Sequence, residues 1–321
     1  YIAFFPQLVA GPIVKAGDFI PQLHEERNIS LKALAPGVQI FAFGLFKKIV
    51  LADNLSVFVD AVHQAPAAYS GLTLLLAAYA YAIQIYCDFS GYSDMAVGCA
   101  KILGYDLARN FNLPYLSRNV SEFWKRWHIS LGTWLQQYLY IPLGGNRKGT
   151  ARTYVNLMLT MLIGGLWHGA NWTFVVWGGL HGLALCVHKA WAKWRRSRGA
   201  AEPGPLGTAL SVFFTFHWAA FCFVFFRSDS IGTAARMIAG IFTLRPGVTH
   251  IAFWAVAALA LVGLASLAAC LRSRRTGLVP EGFYPLADLS TVRGLTLFFT
   301  FLGLTLALGY TGQSPFIYFQ F

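Results

Sequence analysis

Two histidines in this chain follow tryptophans inside apolar sequence, at Trp127-His128 and Trp167-His168. An imidazole titrates around 6.5, so at neutral pH it can accept a proton and return it. The second lies in the run Gly164-Gly165-Leu166-Trp167-His168-Gly169-Ala170-Asn171-Trp172, between hydrophobic stretches long enough to enter a bilayer. An ionisable group placed there is costly, and is by default a functional-site hypothesis. His168 is therefore read as a general base that takes a proton from a hydroxyl attacking a carbonyl, worth roughly 10²–10⁴-fold in rate. The competing reading is a histidine that packs helices and bonds backbone. Gly164, Gly165 and Gly169 allow the close backbone approach a substrate passage needs, and equally suit tight helix contact. His128 is a weaker signal by itself. Asn171 could orient an imidazole or polarise a carbonyl, or simply form a turn.

Other polar residues invite plainer roles. Asp88 and Asp94 fall in membrane-like sequence and are expected to be structural, pairing with buried Lys or Arg or bonding backbone freed by a helix break. His181 and His188 share a helix face at i, i+7, but i, i+4 would suit zinc better and no acidic residue accompanies them, so no metal site is expected. Arg147 and Lys148, in Gly145-Asn146-Arg147-Lys148-Gly149, could hold a diphosphate with backbone N–H groups; topology-setting charge explains them equally well. No GxxxxGK[ST] or GxSxG motif occurs, so neither a P-loop nor a serine nucleophile elbow is indicated. The cysteines at 87, 99, 186, 222 and 270 form no CxxC pair and read as small buried hydrophobes.

The elements that must position these residues are membrane helices. The chain has 321 residues, 56% hydrophobic and only 12% charged, against about 25% charged in soluble domains. Its net charge of +12 is spread over short basic loops beside apolar runs, as the positive-inside rule predicts. It lacks the continuous basic face of a nucleic-acid groove. Residues 1–22 read as a proline-broken loop or re-entrant segment. Residues 36–60 read as a helix reaching the interface, with Lys47 and Lys48 snorkelling. Residues 70–103 exceed one span, so a kink or break is expected near Gly91. Residues 121–139 read as one amphipathic helix, with Ser121 as N-cap and His128 on its apolar face. Two runs, 153–168 and 172–188, form a hairpin with basic clusters at both ends, which places His168 at the bend and both ends in the cytoplasm. Further spans are expected at 208–226, 250–271 and 292–309, with a short interfacial helix at 229–242 and a third basic cluster at Arg272 to Arg275. No composition shift divides the chain, and one domain over 1–321 is expected. Because the sequence opens at Tyr1 inside apolar sequence, additional N-terminal spans are expected to precede it.

Four separated runs carry a resemblance. They are Tyr86-Cys87-Asp88-Phe89-Ser90-Gly91-Tyr92-Ser93-Asp94, Phe123-Trp124-Lys125-Arg126-Trp127-His128-Ile129-Ser130, Tyr140-Ile141-Pro142-Leu143-Gly144-Gly145-Asn146 and Gly165-Leu166-Trp167-His168-Gly169-Ala170-Asn171-Trp172. In this order they resemble the membrane-bound O-acyltransferase family, in particular its bacterial members that acetylate exported polysaccharides such as alginate. The opening Phe4 to Ile13 and the closing Phe316-Ile317-Tyr318-Phe319 are similar too. The resemblance implies an all-α bundle of many helices around a tunnel across the inner membrane. It implies a catalytic His168 and a second important polar position at His128. Asn171, Trp127, Trp167, Lys125, Arg126, Arg147 and Lys148 are then candidates for binding donor or substrate. The implied donor is acetyl-CoA, with no bound cofactor, and the implied partners are the lipid bilayer, periplasmic proteins and a secreted polysaccharide. Acetylation of cellulose or peptidoglycan, D-alanylation of teichoic acid, and a non-catalytic export scaffold remain as alternatives.

Overall fold

The apolar runs fold as helices, and proline, glycine and asparagine set many of their limits. The computed structural model describes residues 1–27, 31–276, 287–312 and 314–316. Among these the chain is all-helical, with one isolated bridge between Tyr69 and Val248. The order is α1 (Ala16–Leu23), α2 (Leu31–Leu45), a π-helical stretch (Phe46–Ala52), α3 (Asp53–Gln64) and α4 (Gly71–Ile102). Next come α5 (Val120–Arg126), α6 (Ile129–Leu135), a second π-helical stretch (Gln136–Tyr140), α7 (Gly149–Trp167) and α8 (Trp172–Ser197). The last are α9 (Pro205–Arg227), α10 (Ile231–Phe242), α11 (Phe253–Thr276) and α12 (Val292–Leu308). Among the described residues, four stretches are long and apolar enough to cross a membrane: Leu34–Gln64, Gly71–Ile102, Pro205–Arg227 and Phe253–Arg272. Ile317 to Phe319 of the closing motif, and the side chains of Arg274 and Arg275, lie outside the described residues.

Contacts gather the chain into two compact units. The first holds 1–58, 83–112 and the described residues from Phe253 onward; the second holds 59–82 and 113–252.

In the first unit, α4 runs unbroken through Gly91, so the expected kink is corrected. The glycine serves packing. A Cβ on Gly91 would stand 2.8 Å from the Gly44 carbonyl oxygen of α2, so the absent side chain lets two backbones touch. The snorkelling lysines are also corrected. Lys47 is only 8% exposed; it pairs with Asp94 and donates to Ser90 Oγ at 2.8 Å. Lys48 reaches Asp88 at 2.6 Å and Asp53 at 2.7 Å. Once the ammonium groups are drawn inside, only paired carboxylates make their burial tolerable. Phe301 of α12 packs on Phe43 and Phe46. The N-terminal segment is partly helical: Phe19 of α1 is fully buried and its ring meets those of Phe4 and Tyr105.

In the second unit, α7 and α8 form the expected hairpin, with α8 continuing to Ser197. Glycines let the two helices close. A Cβ on Gly165 would collide with the Phe174 carbonyl oxygen, and one on Gly178 with that of Met161. The predicted single helix over 121–139 is corrected to two short helices. The chain turns at Trp127, which is extended, and at His128, which is left-handed at φ 43°. Trp127 is buried, stacked on Phe123 and in ring contact with Phe223, a tertiary anchor that helical periodicity does not reveal. The N-cap is Asn119 and not Ser121. Its side chain accepts from the Glu122 amide at 2.8 Å, while the Glu122 carboxylate accepts from the Arg118 amide at 2.9 Å. Reciprocal bonds of this kind satisfy amides that the first turn would otherwise leave open.

Candidate active site

His168 closes α7. Its amide donates to the Gly165 carbonyl at 3.0 Å, and the chain then turns through Gly169 and Ala170 into α8. The imidazole is walled by rings: Trp167, Trp177 and Phe226 have centroids 5.1, 5.2 and 5.1 Å away, and Phe174 lies at 6.4 Å. Phe226 comes from the last turn of α9. The ring environment is thus built by α7, α8 and α9 together.

His128 enters the same region from the α5–α6 turn, on a loop between helices too short to span a membrane. Its side chain is buried, with 4% of the residue exposed. Burial, and then the nearby His168 imidazole, hold His128 well below the ordinary histidine value. It is therefore a neutral ring at pH 7, with one N–H to donate and one nitrogen to accept. Of the two histidines found from their Trp-His contexts, forty residues apart in sequence, His168 thus acts electrostatically on His128 in the fold.

The other predicted residues divide. Trp127 belongs to the ring wall, meeting Phe123 and Phe223. Trp167 touches His168 edge-on but is 54% exposed. Asn171 is engaged structurally: it caps α8 by accepting from the Thr173 amide at 3.0 Å and donates to the Asp229 carbonyl at 3.0 Å. That fixes the bend beside His168. Arg126 bonds Glu122, at 2.8 Å for its closest contact, and Lys125 is exposed. Burial alone would raise the Glu122 carboxyl, but hydrogen bonds from Arg118 and Arg126 outweigh it and hold the group below its usual value. Arg147 and Lys148 are exposed at the far end of α7. Asp88 and Asp94 hold the lysine pairs of the first unit.

His181 acquires a different setting from the one its spacing suggested. It is fully buried, its ring lies parallel to Phe123 at 6.0 Å, and it meets Trp124 and Trp177 edge-on at 5.0 and 5.1 Å. Among the described residues neither of its ring nitrogens has a hydrogen-bond partner, and the same holds for the indole nitrogens of Trp124 and Trp177. Trp177 therefore touches both His168 and His181. The sequence signal was present, in Trp177-Gly178-Gly179-Leu180-His181 one and two turns into α8, but Phe123 and Trp124 arrive from α5. Among the described residues, no three His, Cys, Asp or Glu side chains gather as a metal-binding group.

An all-helical chain with membrane-length apolar helices, a buried His128 and a ring-walled His168 at a helix-hairpin bend has the character of a helical integral-membrane protein. The chain is a member of the membrane-bound O-acyltransferase family, MBOAT, whose model matches residues 1–228 and so includes both histidines. It is 42% identical over 243 residues to a protein of Helicobacter pylori named peptidoglycan O-acetyltransferase, covering 75% of this chain and 45% of that one. It is 44% identical over 243 residues to the probable alginate O-acetylase AlgI of Azotobacter vinelandii, covering 76% and 47%. Teichoic acid D-alanyltransferase of Bacillus subtilis is 26% identical over 237 residues, covering 70% and 60%. The matched part spans about half the length of the first two relatives.

Proposed function

We propose that this protein is an O-acyltransferase of the bacterial inner membrane, moving an acetyl group from a cytoplasmic thioester donor, acetyl-CoA, toward hydroxyls of an exported polysaccharide. The observation that carries this reading is a ring-walled His168 at the α7–α8 bend, within electrostatic reach of the buried His128, inside the family-matched region. The acceptor oxygen attacks the thioester carbonyl while His168 takes the hydroxyl proton. The tetrahedral oxyanion forms beside His128, whose neutral ring donates an N–H to it. As the oxyanion collapses the carbon–sulfur bond breaks, and the proton held by His168 passes to the departing thiolate. Ester and free thiol are the products, and both histidines return to their starting state.

Surrounding rings serve this chemistry by excluding water, which would otherwise compete with the acceptor hydroxyl and screen the charges. Asn171 positions His168 through the helix cap, and periplasmic partners carry the acetyl group onward to the polymer. Acetyl is favoured over D-alanyl by the higher identity to the acetyl-transferring relatives, 42 and 44% against 26%. Alginate and peptidoglycan are not separated by these figures, so the acceptor class is a secreted polysaccharide.

The test is transfer of radiolabelled acetyl from acetyl-CoA in membranes carrying the full-length protein. Wild-type membranes should label acceptor, and His168→Ala at equal expression should lose roughly 10²–10⁴-fold. Activity near wild type in that variant would remove the base, and absence of transfer by wild type would favour an export scaffold.

A further inference from the structure

The basic residues that the hairpin presents at the end away from His168 are arranged for a ligand. A cavity of about 230 Å³ opens between the first turns of α7 and the far end of α8, lined in part by Asn146, Thr150, Tyr154, Lys189, Lys193 and Arg196. The three cations stand at i, i+4 and i+7 on α8, one face of the helix. Among the described residues none of them is paired with a carboxylate, and no acidic residue lines the cavity. One further donor is held in place. Lys189 Nζ and the Tyr140 hydroxyl both donate to Asn146 Oδ1, at 2.9 and 2.6 Å, which leaves the Asn146 amide NH₂ to donate elsewhere. The start of α7 adds its own field. Its N-cap, Lys148, makes no side-chain capping bond, so the first-turn amides and the positive end of the helix dipole stay available beside Gly149 and Thr150.

A cavity lined with donors, cations and a helix N-terminus, and without a carboxylate, is matched by a phosphate group. Its depth in the membrane is indicated by Trp191 and Trp194, which stack at 4.8 Å on the same stretch of α8 and are both about half exposed. Tryptophans in this state collect at the headgroup level. We propose that this cavity is a phosphate-binding site, occupied either by the phosphates of the acyl donor or by the headgroup phosphate of an anionic lipid. The cations that hold the phosphate are then Lys189, Lys193 and Arg196 of α8, in place of the exposed Arg147 and Lys148 expected from the loop motif. The donor alternative rests on the transferase reading; the lipid alternative stands without it.

Binding is measured on full-length protein in phosphatidylcholine nanodiscs, in a His168→Ala background so that turnover plays no part. The variant Lys193→Gln/Arg196→Gln changes two side chains that line the cavity, and Lys193→Arg/Arg196→Lys preserves the charge and controls for altered folding. If the donor is the ligand, acetyl-CoA should bind roughly tenfold or more weakly to the neutralised variant. S-acetylpantetheine, which lacks the phosphates, should be unaffected, and the charge-preserving variant should recover most of the affinity. If the headgroup is the ligand, acetyl-CoA binding is unchanged and enrichment of phosphatidylglycerol from mixed vesicles falls instead. Acetyl-CoA and phosphatidylglycerol binding both unchanged within about twofold, or absent in the parent protein, would overturn the site. Such a result with acetyl transfer intact in the native His168 protein would leave the transferase reading standing.

Discussion

The first unit buries lysines and aspartates, while the second buries histidines. Lys47 and Lys48 meet Asp94, Asp88 and Asp53, so each charge is matched where it lies. His168 and His181 sit among indole and phenyl rings instead, and His128 is buried within electrostatic reach of His168. A matched pair keeps both its charge and its geometry, which suits a scaffold. A neutral imidazole holds no fixed charge and offers one nitrogen to accept a proton and one N–H to donate, which suits proton transfer. Burial of an ionisable group therefore does not by itself mark chemistry; the identity of its neighbours does.

Removing one member of a pair should have the largest effect on stability. Asp94→Ala leaves Lys47 buried without its carboxylate and should cost about 3–5 kcal/mol. Lys47→Met combined with Asp94→Leu should cost far less, because no charge is stranded. Thermal unfolding in detergent compares the two, and a single variant as mild as the double one would mean that the pair is not a scaffold element. Next come the glycine contacts, one in each unit. A Cβ at Gly44 would stand 2.5 Å from the Gly91 carbonyl oxygen, and one at Gly165 would collide with that of Phe174. Alanine at either position should cost roughly 1–3 kcal/mol by overpacking. Only Gly165→Ala, whose own carbonyl bonds the His168 amide, should also slow transfer beyond the loss of folded protein, as assayed at a temperature where both variants remain folded. The smallest effect on stability is expected at His128. Asparagine accepts a left-handed backbone, so His128→Asn should change stability by about 1 kcal/mol or less yet lower the proposed transfer roughly 10²–10³-fold. A melting loss equal to that of Asp94→Ala would make His128 a packing residue and erase the contrast between the units.

Much of the architecture was legible because membrane helices announce themselves by length and apolarity. The hairpin, its bend at His168, the later helices and the short α10 occur where expected, but α8 runs on to Ser197 and none of α7, α8 and α12 is among the four stretches long and apolar enough to cross a membrane. What failed to show depends on partners distant in sequence. Gly91 resembled a helix break and is a contact point for Gly44. Lys47 and Lys48 resembled interface residues because Asp94 and Asp88, which draw them inside, lie forty or more positions away. The helix over 121–139 kept its apolar period across Trp127, and only the rings of Phe123 and Phe223 explain why the chain turns there. At the site, each histidine was recognisable from its own surroundings. That one influences the other, and that His181 joins them through Trp177, follows from helix packing alone.

The central claim is that His168 and His128 serve one reaction together. It is tested most directly by kcat/KM for acetyl transfer in His128→Ala, His168→Ala and the double variant, each at matched amounts of folded protein. Groups that act as a unit are non-additive, so the double variant should be no slower than the slower single one within about threefold. Losses that multiply in full would show two independent contributions and contradict the account.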